Sequence, residues 1–221
     1  MRLILCRHGN TFEADATPVM VGAQEDLPLT ATGRAQASAV GDMLRQLRLM
    51  PDLAVTSQLQ RTWEYAFLAT DGMDVPQRQD PRLSEIDYGP WGGLSEAEVQ
   101  ALSPTAAAEL AAWNTAAVFP STAGWQPDEA TLKQQVRSFA AELGMRYKEP
   151  DKTVLVVSSN GVMRYFLNLI PGAWDAHIAA RTFKVKTGHV CVLEHGLKEG
   201  LLGWHLLAWN VAPDAAAAYL R

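Results

Sequence analysis

The chain has 221 residues, 48% of them hydrophobic and 19% charged, enough apolar content to bury the core of one α/β domain. Nineteen Lys and Arg stand against 24 Asp and Glu, a formal net charge of −5, so there is no global basic field to attract nucleic acid or an anionic membrane and any anionic ligand must be held by local cations. Leu3-Ile4-Leu5-Cys6 falls short of a signal-peptide core of roughly 7–15 residues and no later run approaches the ~18–20 needed to cross a bilayer, so a cytoplasmic protein without nucleic-acid or membrane partners is expected.

Arg2-Cys6 reads as a first buried strand. The helix that should follow is delayed by a loop punctuated by Pro18, Gly22 and Pro28. Thr30-Ala31-Thr32-Gly33 then opens a helix with Ala35, Ala39, Val40, Met43, Leu44 and Leu47 on one stripe, ending near Arg48 because Pro51 follows. Asp52-Ser57 is a second strand, and a helix is expected from about Gln58 to Ala69, with Gly72 and Pro76 breaking the chain beyond it. Residues 91–148 contain no strand pattern, only Ala-rich helical stretches interrupted by Pro104, Pro120, Gly124 and Pro127. No Gly/Ser linker sets them apart, so they read as a helical insertion within a single domain spanning 1–221. Thr153-Ser158 is a third buried strand; Thr182-Lys186, Val190-Glu194 and Leu201-Trp209 suit strands or a hairpin with its turn near Gly196 and Gly200. Strand and helix alternating in this way predict a parallel sheet with crossover helices. Cys6 and Cys191 lie in apolar strand-like runs and read as buried thiols.

The strongest chemical feature is Arg7-His8-Gly9-Asn10-Thr11, directly after the first strand. The carboxyl end of a parallel strand opens onto the binding crevice, so a cation, an imidazole and polar donors arrive where ligands sit, while Gly9 lets the backbone approach a ligand closely. Arg61 follows the second strand at a helix start, where a guanidinium suits phosphate oxygens. Glu85 is a carboxylate among Leu83, Ile86, Tyr88 and Trp91, suited to proton donation. Taken singly, the Arg-His-Gly run equally fits a strand-end turn and Arg61 a solvated first helical turn, while a loop glutamate such as Glu85 is more often a surface charge. His8, His177, His189, His195 and His205 form no close ligand pair and the cysteines no Cys-x-x-Cys, so the sequence gives metal catalysis no support. Phosphate-loop and nucleophile-elbow motifs are missing as well.

Together, Arg7 to Thr11, Asp26-Leu27-Pro28-Leu29-Thr30, Gly33-Arg34-Ala35-Gln36-Ala37, Ser57 to Thr62 and Leu83 to Trp91 resemble the histidine phosphatase superfamily, the phosphoglycerate mutase-like proteins, in family order from position 7 to about 164. The resemblance implies a three-layer α/β sandwich, its mostly parallel sheet covered by helices on both faces. It further implies that His8 is the nucleophile forming a phosphohistidine, that Arg7 and Arg61 clamp the phosphoryl oxygens, that Glu85 protonates the leaving oxygen and that neither a metal nor an organic cofactor takes part. These roles agree with general phosphoryl-transfer chemistry.

The sequence departs from the family after the third strand. Where the pattern has a Ser-His pair, this chain has Ser158-Ser159-Asn160-Gly161-Val162-Met163-Arg164, so Ser159 takes the place of the second catalytic histidine. A hydroxyl, supplemented by the Asn160 amide and helix N-terminal amides, is expected to bind the phosphoryl group more weakly; loss of one preorganised donor elsewhere costs on the order of 10²–10³ in rate. Asn10, Ser159 and Asn160 are therefore candidate phosphate ligands beside the two arginines. His189 is a candidate replacement donor, though a histidine at a strand border is more often a structural or surface residue. Trp91-Gly92-Gly93 also lacks the glutamate that many relatives carry. The expected function is a metal-independent phosphatase of a small phosphomonoester. Alternatives are a phosphoglycerate mutase-type phosphoryl transferase and a catalytically impaired phosphate-binding protein. The short Tyr88-Gly89-Pro90-Trp91 segment looks more like the phosphatase branches. Substrate identity and oligomeric state are not legible.

Overall fold

A computed structural model describes residues 1–198 and 200–220. In chain order the elements are β1 (Arg2–Arg7), α1 (Ala31–Gln46), β2 (Leu53–Thr56), α2 (Gln60–Ala69), β3 (Gln77–Gln79), α3 (Glu96–Leu102), α4 (Pro104–Ala116), α5 (Glu129–Arg146), β4 (Thr153–Ser158), α6 (Asn160–Met163), α7 (Ala173–Ala179), β5 (Val190–Lys198), β6 (Leu201–Val211) and α8 (Pro213–Ala216). The strands form a six-stranded sheet in the order β3-β2-β4-β1-β5-β6. Pairing is parallel from β3 through β1 and antiparallel for β1–β5 and β5–β6. The mostly parallel α/β sheet expected from the alternation is present.

Side chains alternate across β1 and thereby define two cores. Leu3 and Leu5 join an apolar cluster with Val99, Leu110, Val136 and Phe139 from α3, α4 and α5, whereas Ile4 and Cys6 join Val40, Leu44, Tyr65 and Ala216 from α1, α2 and α8. Cys191 lies in the first cluster and Cys6 in the second, so the two buried thiols face opposite sides of the sheet and stay free. None of the described helices is long and apolar enough to cross a membrane.

Three local expectations need correction. On α1 the buried positions are Ala37, Val40, Met43 and Leu44, while Ala35 and Ala39 face solvent. Thr182-Lys186 is not a strand, despite buried Phe183 and Val185 alternating with polar neighbours. Its backbone is satisfied by side chains instead: Asn160 Oδ1 accepts from Val185 N at 2.9 Å, Asn210 Oδ1 accepts from Lys186 N at 2.8 Å, and Arg7 Nη1 donates to Val185 O at 2.7 Å. The hairpin turns at Gly200, whose φ is +82°, whereas Gly196 lies within β5 opposite Gly203. The short edge strand β3, with the polar sequence Gln77-Arg78-Gln79, carried no hydrophobic signal.

Candidate active site

The candidate residues come from four points along the chain, and each follows the carboxyl end of a parallel strand. Arg7 ends β1 and His8 follows it, Arg61 is the second residue of α2 after β2, Glu85 follows the short turn Pro81–Leu83 after β3, and Ser159 and Asn160 follow β4. Because β4 inserts between β1 and β2, these four loops converge on one edge of the sheet. There they border a cavity of about 620 Å³ whose walls include Arg7, His8, Asn10, Arg61, Glu85 and Asn160, a volume within the range of small-molecule sites.

His8 is buried, and its Nδ1 donates to the Gly9 carbonyl at 2.8 Å. A carbonyl can only accept, so this bond fixes the tautomer and leaves the lone pair on Nε2. Burial, then the Arg7 and Arg61 charges, push the imidazole well below its ordinary pKa, against the opposing bond to Gly9. His8 is thereby held as a neutral base beside two cations.

The guanidinium of Arg7 uses Nη1 on Val185 O, while its buried Nε has no hydrogen-bond partner. Arg61 is fully buried and spends one donor from Nη1 on the Glu25 carbonyl at 2.9 Å and one from Nη2 on the Gly22 carbonyl at 2.7 Å. Arg61 therefore also fixes the loop that covers the cavity edge. Burial lowers the pKa of both arginines, yet they remain cations at neutral pH because their ordinary value is so high.

Glu85 is 8% exposed. Its Oε1 accepts from Ile86 N at 2.9 Å and its Oε2 from Gly161 N at 3.1 Å, which pins the carboxylate against the start of α6. A Cβ on Gly161 would lie 2.2 Å from Glu85 Oε1, so only glycine permits this approach. Gly9 is required for a different reason than its sequence position suggests: its Cβ would meet the Gly33 carbonyl at 2.4 Å, so it serves the packing of this loop on the first turn of α1. The Asn10 carbonyl accepts from Thr30 N, and the Asn10 side chain from Thr187 Oγ1, which completes the anchoring.

Ser159 is 1% exposed, and its Oγ has no hydrogen-bond partner. Its side chain is not among those lining the cavity, whereas Asn160 is. His189 does not line the cavity either, and its Nδ1 donates to Asn210 O at 3.1 Å. Further cavity residues were not singled out from the sequence as site residues, among them Tyr88, Glu96, Trp113, Arg164 and Lys184. Arg164 did carry a signal, a lone cation in the apolar run Val162-Met163-Arg164-Tyr165-Phe166. Its guanidinium lies 3.7 Å above the Trp113 ring, and burial pushes its pKa down to about 10. Trp113 packs edge-to-face with Trp125 and Phe119 and also forms a wall of the site.

This α/β architecture, with basic and imidazole side chains gathered at the carboxyl edge of the sheet, defines a phosphoglycerate mutase-like protein. The model of the histidine phosphatase superfamily, branch 1, matches residues 3–211, and the chain belongs to that family. A curated relative, glucosyl-3-phosphoglycerate phosphatase of Mycobacterium tuberculosis, is 30% identical over 99% of this chain and 98% of its own length. A solved structure of the mycobacterial glucosyl-3-phosphoglycerate phosphatase superposes with a TM-score of 0.75 at 28% identity, covering 96% of this chain and 99% of that one. The 2,3-bisphosphoglycerate-dependent phosphoglycerate mutase of Cutibacterium acnes is 37% identical, but only over 45% of this chain and 40% of the mutase.

Proposed function

We propose that this chain is a metal-independent phosphatase that hydrolyses a small phosphomonoester through phospho-His8. The observation that carries the reading is the neutral, tautomer-fixed His8 lining one cavity with Arg7, Arg61 and Glu85. His8 Nε2 attacks phosphorus while Arg7 and Arg61 stabilise charge on the phosphoryl oxygens, and the bond from phosphorus to the leaving oxygen breaks. Glu85, in its acid form, gives that oxygen a proton. Water then attacks the phosphohistidine and returns a proton to Glu85, and the nitrogen–phosphorus bond breaks, releasing inorganic phosphate and restoring the imidazole. Asn10 and Asn160, which line the cavity, act as neutral phosphate ligands, whereas Ser159, at the position of the second histidine, is buried outside the cavity lining and is not assigned as a ligand.

Hydrolysis is favoured over mutase chemistry by the end-to-end similarity to a phosphatase, against a mutase match confined to under half of either chain. Among the described residues no three His, Cys, Asp or Glu side chains gather as metal ligands would. We read 1–221 as one domain with an insertion at 91–148, because helices of that segment share an apolar cluster with the sheet. Free buried thiols suit a cytoplasmic setting. A turnover screen over phosphomonoesters in a strong chelator tests the function: phosphate release should survive chelation and vanish in His8→Ala, and an isomerised ester as product would indicate the mutase. Ser159 favours one second reading, a catalytically impaired phosphate binder, for which phosphate binds but no phosphohistidine forms.

A further inference from the structure

Ser158, the last residue of β4, makes contact with the loops of both reacting groups. It pairs with Arg7 of β1, and its carbonyl accepts from His8 N at 3.1 Å. Its hydroxyl is fully buried and lies 2.8 Å from the Leu83 carbonyl, two residues before Glu85. A carbonyl only accepts, so the hydroxyl donates and the direction of the bond is fixed. Among the described residues no other group donates to Leu83 O. Just beyond Ser158, Gly161 N holds the Glu85 carboxylate at 3.1 Å. One short stretch of chain, from the end of β4 into α6, therefore grips the backbone of His8 on one side and the loop of Glu85 on the other.

The loop passes this constraint on because the turn Pro81–Leu83 is stiff. Leu83 N donates to Asp80 O and Ser84 N to Pro81 O, both at 3.1 Å. The buried Asp80 carboxylate adds bonds from Arg82, to Oδ1 from N at 3.1 Å and Nε at 2.9 Å, and to Oδ2 from Nη2 at 2.6 Å. Arg82 also reaches Glu142 on α5 at 2.5 Å, and Asp80 N donates to Thr56 O at 2.8 Å. These contacts refer the turn to α5 and to β2. The Ser158 hydroxyl refers its end to β4, the strand that also holds His8. Without that bond Leu83 O would be a buried carbonyl lacking a donor, and the end of the turn would shift to find one, carrying Glu85 with it.

Resting on the phosphatase reading with Glu85 as proton donor, we infer that Ser158 is a positioning residue whose hydroxyl sets where the Glu85 carboxyl stands relative to His8. Ser158 does not line the cavity, so it acts through Glu85 and not on the substrate.

The test is Ser158→Ala, which deletes the hydroxyl and keeps the carbonyl that holds His8. No clash forces Glu85 away, so its drift is a fraction of the ~1 Å that can cost about 10²-fold, and the expected loss is about tenfold. It should appear in kcat for glycerol 3-phosphate, while p-nitrophenyl phosphate, whose leaving group needs little protonation, should lose less than about twofold. The double variant with Glu85→Gln should be no slower on glycerol 3-phosphate than Glu85→Gln alone. A serine that only supports the fold would lower both rates alike; equal losses in a folded variant, or an unchanged rate on glycerol 3-phosphate, would overturn the inference. Should Ser158→Ala not fold, Ser158→Cys, whose thiol fills the site but donates weakly, is read in the same way. Should Glu85→Gln leave the ratio of the two rates unaltered, or neither ester be hydrolysed, the reading of Glu85 or of the phosphatase fails by itself. Hydrogen exchange then decides the inference. The amides of Ile86 and Gly161, which donate to the Glu85 carboxylate, should exchange at least tenfold faster in the Ser158 variant, with β6 unchanged. Unaltered exchange, or the same acceleration throughout the chain, overturns it.

Discussion

Replacing Gly161 by alanine is a selective way to disturb Glu85. The new Cβ would lie 2.2 Å from Glu85 Oε1 and 3.0 Å from both Glu85 Cδ and Ile86 Cδ1, whereas ordinary contact begins near 3.4 Å. The carboxylate must retreat by about 1 Å, and a misplacement of about 1 Å can cost roughly 10²-fold in rate, or ~2.7 kcal/mol in the barrier. Backbone strain does not confuse the result, because Gly161 lies in α6 without a positive φ, and alanine is the better helix former. The loss should fall on the step that needs a proton. Turnover of an alkyl phosphate should drop about 10²-fold, while p-nitrophenyl phosphate, whose leaving group needs little protonation, should change by less than about threefold. The double variant with Glu85→Gln should be little slower than Glu85→Gln alone, since both remove the same function. Equal losses on the two substrates, in a variant that melts as a folded protein, would refute the assignment of Glu85 as proton donor.

Arg61→Ala should weaken phosphate and vanadate binding, measured by calorimetry, and also loosen residues 22–25, whose carbonyls it holds; faster hydrogen exchange there would report the second effect. Ser159→His should raise the burst rate of phospho-His8 formation, by up to about 10²-fold, by restoring a preorganised donor. A folded variant with no gain, together with an unaltered protein that forms no phosphohistidine, would favour the binding-protein reading. His8 should titrate well below pH 6.5 by NMR, so any loss of kcat/KM due to its protonation appears only at acid pH. The same shift makes the unfolded chain bind more protons between the folded value and about 6.5. Stability from His8 therefore rises with pH through that window and is complete above it. A His8 titration near or above 6.5 would contradict the depressed value.

The sheet's parallel strands were legible because strands buried on both faces are written as continuous apolar runs, as in Leu3-Ile4-Leu5-Cys6 and Val154-Leu155-Val156-Val157. The Arg7-His8-Gly9 turn, Arg61 and Glu85 were legible because short-range order places each just past a strand or within a compact motif. Strand β3 was not, because a polar three-residue edge strand has no period to read. The pattern at 182–186 misled for a related reason: alternation reports which side chains are buried, while a strand also needs a neighbouring backbone, and here Asn160, Asn210 and Arg7 supply the hydrogen bonds. Only tertiary structure brings Arg164, Lys184 and Trp113 to the wall of the same cavity, since they lie on three separate segments with no spacing that links them. Likewise, Gly161 carries no local turn signal; its need for glycine arises from Glu85, 76 residues away. Local chemistry and periodicity are properties of neighbouring residues, and so the sequence alone determined them. Which distant side chains share a cavity depends on how the chain closes on itself.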